Sequence, residues 1–343
     1  MRRPCWASPS RSPVPARILP PTPEAIVEAA ALLRAGQPIG MPTETVYGLA
    51  ADASSAEAVA RIFAAKGRPN DHPVIVHVAE GDDLSHWAVR VPAAARKLMA
   101  AFWPGPLTLI LPRATGVLDA VTGGQDTVGV RCPAHPVAQA LLKAFGGGLA
   151  APSANRFGRV SPTTAQHVAD EFDTGVPVVL DGGACGVGIE STIVDVSSEI
   201  PILLRPGHIS PVELSAVLGT VVLTRAEMDA RRDVPRVSGS LSAHYAPRTP
   251  LRLAGGAELR AEIAAATARG QEVGVWSVRD PGGAAAWIEA PAEPARYAQA
   301  LYATLRAFDG KGLDLLIFEQ PPAGPEWTAV RDRLDRAAVG SGA

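Results

Sequence analysis

Short apolar segments bounded by Gly and Pro recur along this chain, and they restrict its fold more than any other feature. Segments that favour β-strands lie at 39–41, 74–78, 107–111, 128–131, 148–151, 176–180, 191–196 and 202–205. Helical patterns lie at 25–33, 58–66, 93–102, 136–145 and 162–172, and one more follows Ser210 and ends at Gly219. This alternation predicts an α/β domain with a twisted, mixed sheet over residues 20–219.

Capping residues mark where several of these helices begin. Thr22, followed by Pro, fits an N-cap, and the S-x-x-E pattern of a capping box occurs at 54–57 and again at 210–213. Ser161 precedes Pro and is expected to cap the helix that follows it. An N-cap hydroxyl can also serve a ligand phosphate if that end of the helix faces the site.

Beyond the first domain the pattern changes twice. Residues 220–247 have little apolar periodicity and include the Ser/Gly-rich stretch 238–242, which predicts a linker. Strand patterns at 251–253, 272–278 and 313–318 then alternate with helices at 257–268, 295–308 and 325–338, which predicts a smaller, doubly wound, Rossmann-like domain over 248–343. At the other end, five prolines and four arginines without an acid in the first twenty residues predict an unfolded tail over 1–19.

Composition excludes several classes of protein. Charged residues make up 19% of the 343 residues and the formal net charge is −2, which argues against a surface that coats a polyanion. Charges, Gly or Pro interrupt every apolar run before the 18 residues that a membrane span needs. The three cysteines are odd in number and lack CxxC spacing, so neither a disulfide framework nor a cysteine zinc site is supported. We expect a soluble, cytoplasmic protein.

Polar residues that directly follow strands are the ones that a crevice at the strand ends can use. They form clusters at 42–48, 66–73, 127–131, 152–155 and 188–192. Lys66 and Arg68 flank a glycine at a helix end, where they would converge on a polyphosphate or simply complement the helix dipole. The choice of Lys at 66 favours the phosphate site, because the chain has four lysines against 28 arginines.

Two further clusters leave alternatives open. Thr43, Thr45 and Tyr47 would line a small polar pocket or form the hydroxyl face of an edge strand. Arg131 ends an apolar strand and would bind a carboxylate bidentately or make a surface salt bridge. Together with the cation pair, these residues indicate a site for a nucleotide and a small amino-acid-like acid, without naming the reaction.

Other chemistries lack support in the sequence. The glycine-rich loop at 182–188 has Ile-Glu where a phosphate-binding loop needs Lys and then Ser or Thr, and it precedes a strand. Neither GxSxG nor HExxH occurs, and His72 and His77 are the closest approach to a metal-binding pair. Cys185 has no neighbouring His or cation and is expected to be a small buried thiol.

The combination of motifs resembles a known family. In order they are PTETVYGL (42–49), KGRPNDHP (66–73), WPGPLT (103–108), VRCP (130–133), APSAN (151–155), SPT (161–163), GIEST (188–192), LRPG (204–207) and HYAP (244–247). Their order and spacing are similar to those of the YrdC-like threonylcarbamoyl-AMP synthases in the long form, which has an additional C-terminal Rossmann-like domain. The motifs carry the resemblance over about residues 20–247. Beyond residue 247 only the length of the C-terminal part agrees with the family.

The resemblance implies an L-threonylcarbamoyladenylate synthase, a nucleotidyltransferase that makes threonylcarbamoyl-AMP and pyrophosphate from L-threonine, bicarbonate and ATP. Partner proteins in the family then transfer the threonylcarbamoyl group to tRNA. The resemblance also implies that Mg²⁺ accompanies ATP, with no protein metal site that the sequence identifies, and that stable direct tRNA binding is not expected.

Site residues follow by matching motif positions. The family's signature positions, assigned to catalysis, are Lys66, Arg68, Ser153 and Asn155. Contacts to ATP are expected from Arg68, His72, Thr127, Ser153, Ser161, Arg205 and Tyr245. Contacts to L-threonine are expected from Thr45, His77, Arg131, Ala151 and Ser191. Because Tyr245 lies in the linker, the resemblance suggests that the linker closes over the nucleotide as a lid.

Two alternative functions use the same fold. An RNA-binding module would usually show a basic domain with interleaved aromatic residues, whereas aromatic residues are 5% of this chain. Another ATP-dependent carbamoyl-transfer protein, as in hydrogenase maturation, would need additional cysteine-rich zinc modules that three scattered cysteines do not supply.

Overall fold

The computed structural model describes residues 16–172, 174–227, 235–239 and 241–342. In these ranges an 11-stranded mixed sheet organises the first part of the chain. Its strands are β1 (Arg17–Leu19), β2 (Ile39–Met41), β3 (Gly48–Asp52), β4 (Ile75–His77), β5 (Leu107–Pro112), β6 (Thr127–Arg131), β7 (Leu149–Ala150), β8 (Val178–Leu180), β9 (Thr192–Asp195), β10 (Ile202–Arg205) and β11 (Leu223–Thr224). The predicted mixed α/β fold is confirmed.

The strand order is β1-β8-β2-β3-β7-β4-β6-β5-β9-β10-β11. Strands β4 and β6 pair in parallel, and β5 runs antiparallel to β6. In this register His77 lies opposite Arg131, and Arg131 lies opposite Thr108. Three polar residues that are far apart in sequence thus become neighbours on adjacent central strands, near one end of these strands.

Seven α-helices accompany this sheet in the described residues. They are α1 (Pro23–Arg34), α2 (Ala56–Lys66), α3 (Ala93–Phe102), α4 (Asp119–Thr122), α5 (Pro136–Phe145), α6 (Ala165–Ala169) and α7 (Pro211–Leu218). One apolar cluster, which includes Leu33 and Leu141, joins α1 and α5 to the strands. A larger cluster, which includes Ile62, Leu98 and Leu109, does the same for α2 and α3. Burial of these side chains anchors the helices on the sheet.

The capping predictions are partly confirmed. The Thr22 hydroxyl accepts from a backbone N–H of α1, and the capping box that begins at Ser210 forms as predicted. The N-cap of α2 is Ser55, one residue later than predicted. The prediction for Ser161 is wrong, because the chain stays extended beyond it and Thr164 caps the short helix α6.

A second, 4-stranded sheet forms from the C-terminal part of the chain, and all of its pairings are parallel. Its elements are β12 (Leu251–Ala254), α8 (Leu259–Ala268), β13 (Val273–Ser277), β14 (Ala286–Glu289), α9 (Pro294–Asp309), β15 (Leu315–Glu319) and α10 (Thr328–Ser341). The strand order is β12-β15-β13-β14, which agrees with the predicted doubly wound unit. The apolar core of this unit also takes in Val46, Val160, Ile189 and Tyr245 from the preceding parts of the chain.

Two predicted boundaries need correction. The unfolded tail was expected to reach residue 19, but Arg17–Leu19 form strand β1, which pairs with β8; residues 1–15 lie outside the described residues. The linker was expected to begin at 220, but Leu223–Thr224 pair with β10 and Arg225–Glu227 form a 3₁₀ turn. In both cases a distant strand supplies hydrogen bonds that local sequence patterns do not reveal.

No helix in the described part of the chain combines the length and the apolar character that crossing a bilayer requires.

Candidate active site

A cavity of about 130 Å³ lies between the ends of β4 and β6, the loop after β7, and linker residues within 236–239 and 241–245. Twelve of the fourteen residues that the sequence assigned to a ligand line it: Thr45, Lys66, Arg68, His72, His77, Arg131, Ala151, Ser153, Asn155, Ser191, Arg205 and Tyr245. The structure therefore brings most of the predicted site together, while the role of each residue stays a prediction.

Lys66 is a buried cation at the end of α2. Gly67 ends this helix in the left-handed conformation, with φ of 60°, as a helix cap does. The Lys66 ammonium donates to the carbonyl oxygens of Ser153 and Asn155 at 2.6 and 2.5 Å and makes no ion pair among the described residues. Burial, and then the charge of Arg68, lower the pKa of Lys66 well below its usual value. The two alternatives for Lys66 and Arg68, a helix cap and a cation pair, are thus both present at the end of α2. No carboxylate among the described residues forms an ion pair with either cation.

Arg68 connects the cation pair to the linker. One of its terminal nitrogens donates to the Pro73 carbonyl at 2.8 Å and to the Ser238 hydroxyl at 3.4 Å, while its Nε is buried without a partner. Burial lowers the pKa of Arg68 to about 10, so the guanidinium is still charged at neutral pH. A buried, charged donor without a partner favours an anionic ligand.

The loop after β7 supplies an acceptor to the same region. The Asn155 amide nitrogen donates to the carbonyls of Arg156 and Arg159 at 2.8 and 2.9 Å, which fixes the orientation of the side chain. Its carbonyl oxygen Oδ1 is buried without a partner. Asn155 therefore has one acceptor free for a hydroxyl, ammonium or water near Lys66.

Arg131 makes a salt bridge, to Glu44, but a largely buried one and not the surface pair that was the alternative for it. Its side chain is 4% exposed, and it donates to Gly105 O at 3.3 Å, to Thr45 Oγ1 at 2.8 Å and to Glu44 Oε1 at 2.6 Å. A guanidinium has five N–H donors, so two remain. Arg131 is thus held in place with part of its fork still able to bind a carboxylate.

The hydroxyl-rich motif at 42–48 forms the loop between β2 and β3, so the edge-strand alternative is wrong. Thr43 and Thr45 are buried, 2.9 Å apart through their hydroxyls, and both line the cavity. Tyr47 instead points away, where its hydroxyl donates to Gly183 O at 2.8 Å and accepts from Gly182 N. Only the two threonines are placed to meet a ligand.

His77, Ser191 and Arg205 complete the buried wall of the cavity. Burial, and then the nearby charge of Arg131, lower the pKa of His77 to about 3, so its ring is neutral, and its Nδ1 is buried without a partner. The Ser191 hydroxyl lies 2.7 Å from the Thr108 hydroxyl and accepts from Arg205 at 3.1 Å. Arg205 also donates to Ser238 O at 2.9 Å, which ties this wall to the linker.

The linker covers the cavity through Tyr245. This residue has a positive φ of 61°, which is unfavourable for a side chain with a Cβ, and it is 1% exposed. Its hydroxyl lies against Gly239, where an added Cβ would come within 2.2 Å of it. The Ala246 N–H donates to Gly158 O at 2.8 Å. The linker is thus packed over the cavity by specific contacts on several sides.

Two predicted ATP contacts lie elsewhere. Thr127 lines an adjoining cavity of about 20 Å³, which shares Pro73, Val237 and Ser238 with the main one. Ser161 is fully buried, and its hydroxyl donates to Glu190 Oε1 at 2.6 Å. Neither lines the main cavity itself: Thr127 stands at the start of β6, at the opposite end from Arg131, and Ser161 lies behind Glu190.

Sequence reasoning missed a buried acid at the wall of the cavity. Glu190 was quoted within the GIEST motif but was given no role. Its Oε2 accepts from Tyr302 and from Arg333 Nε, each at 2.8 Å. Burial alone would raise the pKa of Glu190, but Arg333, Arg205 and the Ser161 hydroxyl lower it to about 2. The charge alternation around Arg333 is typical of an exposed helix, so no local signal reveals this long-range pair.

The lining of the cavity does not fit a metal held by the protein. Among the described residues, no group of three or more His, Cys, Asp or Glu is placed to hold a metal ion. The carboxylate that lines the cavity, Glu190, has its oxygens occupied by Ser161, Tyr302 and Arg333. The cavity instead combines several cations with this neutralised acid, which suits an anionic ligand.

The described cysteines are buried thiols without activation. Cys132 and Cys185 are free and buried. Burial raises the pKa of Cys132 to about 11 and that of Cys185 to about 12. The prediction that Cys185 is a small buried thiol is confirmed.

Two family models match successive parts of the chain. One, described as telomere recombination and named for the Sua5, YciO and YrdC proteins, matches residues 31–207. The other, described as the C-terminal domain of threonylcarbamoyl-AMP synthase, matches residues 209–339. The two matches meet at the start of α7.

Relatives match nearly the whole chain. It is 40% identical over 323 residues to the threonylcarbamoyl-AMP synthase of Bacillus subtilis, covering 92% of this chain and 93% of the relative. It is 36% identical over 367 residues to that of Schizosaccharomyces pombe, covering 93% and 90%. The crystal structure of Pyrococcus abyssi Sua5 complexed with L-threonine superposes with a TM-score of 0.89 at 36% identity, covering 95% of this chain and 98% of that one. The chain therefore belongs to the two-domain, Sua5-type family of threonylcarbamoyl-AMP synthases.

Proposed function

We propose that the protein makes L-threonylcarbamoyladenylate from L-threonine, bicarbonate and ATP, with release of pyrophosphate and water. The observation that carries this proposal is one cavity with two cationic centres of different geometry. Lys66 is a buried and Arg68 a half-buried cation, and neither pairs with a carboxylate among the described residues, as a polyphosphate site requires. Arg131 is a fixed fork with free donors, as a carboxylate requires.

L-Threonine is expected to lie at the Arg131 end, with its carboxylate on the guanidinium. The hydroxyls of Thr45 and Ser191 are within this wall, and the neutral His77 offers an unused ring nitrogen. Ala151, also at the cavity, limits the room for the side chain. The threonine amine would then point toward Lys66 and the ATP end.

ATP is expected to lie between α2 and the linker. Lys66 and Arg68 would bind its phosphates, and Ser153 and Asn155 would hold the carbamate and the phosphate next to it. His72, Arg205 and Tyr245 line the same part of the cavity and would contact the rest of the nucleotide. We infer that ATP enters as its magnesium complex, with the cation on phosphate oxygens, because the described residues offer no ligand set of their own.

The reaction needs no covalent enzyme intermediate. Bicarbonate first loses water to give carbon dioxide. The threonine amine then adds to the carbon dioxide and gives a carbamate. A carbamate oxygen then attacks the α-phosphorus of ATP, and the bond to the β-phosphate oxygen breaks to release pyrophosphate. Positioning and the charges of Lys66 and Arg68 would supply the catalysis. A closed linker would protect the mixed anhydride from water.

The product would serve proteins that transfer the threonylcarbamoyl group to tRNA. We place the reaction in the cytoplasm, where ATP and tRNA are present, and the free thiols of Cys132 and Cys185 are consistent with a reducing compartment. Stable direct binding of tRNA is not part of the proposal.

Pyrophosphate release from purified protein tests the function. With ATP and Mg²⁺, release should require both L-threonine and bicarbonate, and mass spectrometry should detect the adenylate. Lys66→Ala should abolish release, whereas Lys97→Ala, an exposed lysine on α3, should leave it unchanged. Release that is indifferent to threonine, or none from the folded wild-type protein, would refute the proposal.

A further inference from the structure

We propose that Arg333, on helix α10 of the C-terminal unit, is a positioning residue of the active site. It holds Glu190 and the ring of Tyr245, so that docking of the C-terminal unit sets the linker over the ATP end of the cavity. This inference rests on the proposed function, because it gives Arg333 a part in ATP use.

Arg333 is fully buried, and each of its nitrogens has a partner. Nε donates to Glu190 Oε2 at 2.8 Å, Nη2 to Pro206 O at 3.0 Å, and Nη1 to Asp332 Oδ2 at 2.6 Å. Both Glu190 and Pro206 belong to the first unit, in the GIEST and LRPG motifs. One guanidinium thus ties two motif loops of the first unit to α10.

Glu190 needs this partner because it lines the cavity beside Ser191. An unpaired carboxylate there would repel the phosphates of ATP. The groups that face Glu190 are Ser161 on its own unit, Tyr302 on α9, Arg333 on α10, Arg205 on β10, and His244 and Tyr245 on the linker. Arg333 makes the ion pair with Glu190, so it supplies the main neutralising charge.

The same guanidinium lies over the ring of Tyr245. The guanidinium carbon is 5.3 Å from the ring centroid, within the range of a cation–π contact. Because Tyr245 has the unfavourable φ of 61°, contacts from outside the linker must hold it there. Tyr302 also packs on this ring, with centroids 5.7 Å apart. The C-terminal unit therefore supplies two of the surfaces that fix Tyr245.

Further contacts from α10 hold the linker on both sides of Tyr245. The His244 N–H donates to Arg336 O at 3.2 Å, and the Arg336 side chain donates to Leu241 O. Gly340 lies against Ala246, where an added Cβ would come within 2.9 Å of the Ala246 Cβ. Since these contacts follow one face of α10, a change at Arg333 is transmitted directly to residues 241–246.

Lysine cannot replace this arginine fully. A lysine at 333 would keep the positive charge beside Glu190 but has no planar fork to reach Glu190, Pro206 and Asp332 together. Arg333→Met removes both the charge and the fork. The two substitutions thus separate neutralisation of Glu190 from placement of the linker.

The test compares Arg333→Met, Arg333→Lys and Arg333→Met/Glu190→Gln with Arg260→Met, which changes an exposed arginine on α8. For Arg333→Met we expect the KM for ATP to rise by about tenfold or more, because repulsion between an unpaired Glu190 carboxylate and the phosphates reaches at least that energy. The KM for threonine should change less. Hydrogen exchange in peptides that cover 241–247 should become faster, and Arg260→Met should behave as wild type.

The other variants sharpen the result. Arg333→Lys should recover part of the ATP affinity while exchange in the linker remains faster than in wild type. Arg333→Met/Glu190→Gln should also recover part of the ATP affinity, because it removes the unpaired carboxylate. Circular dichroism and melting curves establish that each variant is folded, and Arg333→Lys keeps the test informative if Arg333→Met does not fold.

Unchanged ATP KM and linker exchange in a folded Arg333 variant would overturn the inference. Equal rises in KM for ATP and threonine without faster linker exchange would do so too, since that result describes general destabilisation. Failure of the proposed function is distinguishable, because it would leave the wild-type protein without threonine-dependent pyrophosphate release.

Discussion

Replacement of Arg131 by lysine isolates the contribution of its fork to threonine binding. Three of the five N–H donors of Arg131 are used by Gly105, Thr45 and Glu44, which leaves two for a substrate carboxylate. Lysine has three donors, so if it keeps its bonds to Thr45 and Glu44, one remains. The loss of one hydrogen bond to a charged group costs about 1.5–3 kcal/mol. The KM for threonine should therefore rise by about 10- to 150-fold.

Initial rates of pyrophosphate release, with threonine varied at saturating ATP and then ATP varied at saturating threonine, measure this effect. The KM for ATP should change by less than about threefold, since the cation pair at Lys66 and Arg68 is untouched. Arg96→Lys, an exposed arginine on α3, is the matched control. A larger change in the KM for ATP than in that for threonine would refute the assignment of Arg131 to the threonine carboxylate.

Two further predictions concern the linker. Gly239→Ala should raise the KM for ATP by about tenfold in the same assay. An alanine at the φ of 79° costs about 1–2 kcal/mol, and its Cβ would displace the Tyr245 hydroxyl. Gly282→Ala, at a φ of 73° on an open surface, should leave the KM for ATP unchanged, and equal effects of the two substitutions on that KM would contradict the reasoning. Burial lowers the pKa of His244 to about 3. Near pH 6.5 the unfolded chain therefore binds a proton at this residue and the folded chain does not, so the stability of the fold falls as the pH drops below 6.5. Denaturant melts of His244→Gln should show about 1.3 kcal/mol less loss of stability between pH 7 and 5.5 than wild type, whereas the exposed His208→Gln should show the wild-type loss. The same loss in both variants would count against a neutral His244.

Strongly patterned local segments made most of the fold predictable. Helices α3 and α5 match the expected ranges, and β2 and β10 do as well, since caps, prolines and apolar runs coincide there. Strand β14 was missed because its side chains alternate between half-buried and exposed, with little apolar signal on either face. Strand β1 was missed because its residues are mostly exposed and, among the described residues, it pairs only with β8, about 160 residues away.

The site was predictable where chemistry and position in the chain coincide. Lys66 and Arg68 stand two residues apart, and Arg131 ends a strand, so their convergence follows from the order of the elements. The partners Glu190 and Arg333 lie 143 residues apart, and nothing in the sequence near Arg333 distinguishes it from the other charged residues of α10. Which end of β6 faces the main cavity was also beyond local patterns, and the ATP contact expected from Thr127 stays a prediction.

Positive charge is buried in two different ways in and behind the ATP end of the cavity, and the difference distinguishes a binding role from a positioning role. Arg333 is buried with every nitrogen on a fixed acceptor and a carboxylate at 2.8 Å, so its desolvation is offset within the protein itself. Lys66 is buried on carbonyl oxygens alone, and Arg68 leaves a buried N–H without an acceptor. Burial of these two cations without a carboxylate partner among the described residues has a cost in free energy that a bound anion would remove. Since any ligand that binds only the folded state adds to its stability, ATP should raise the free energy of unfolding of the protein.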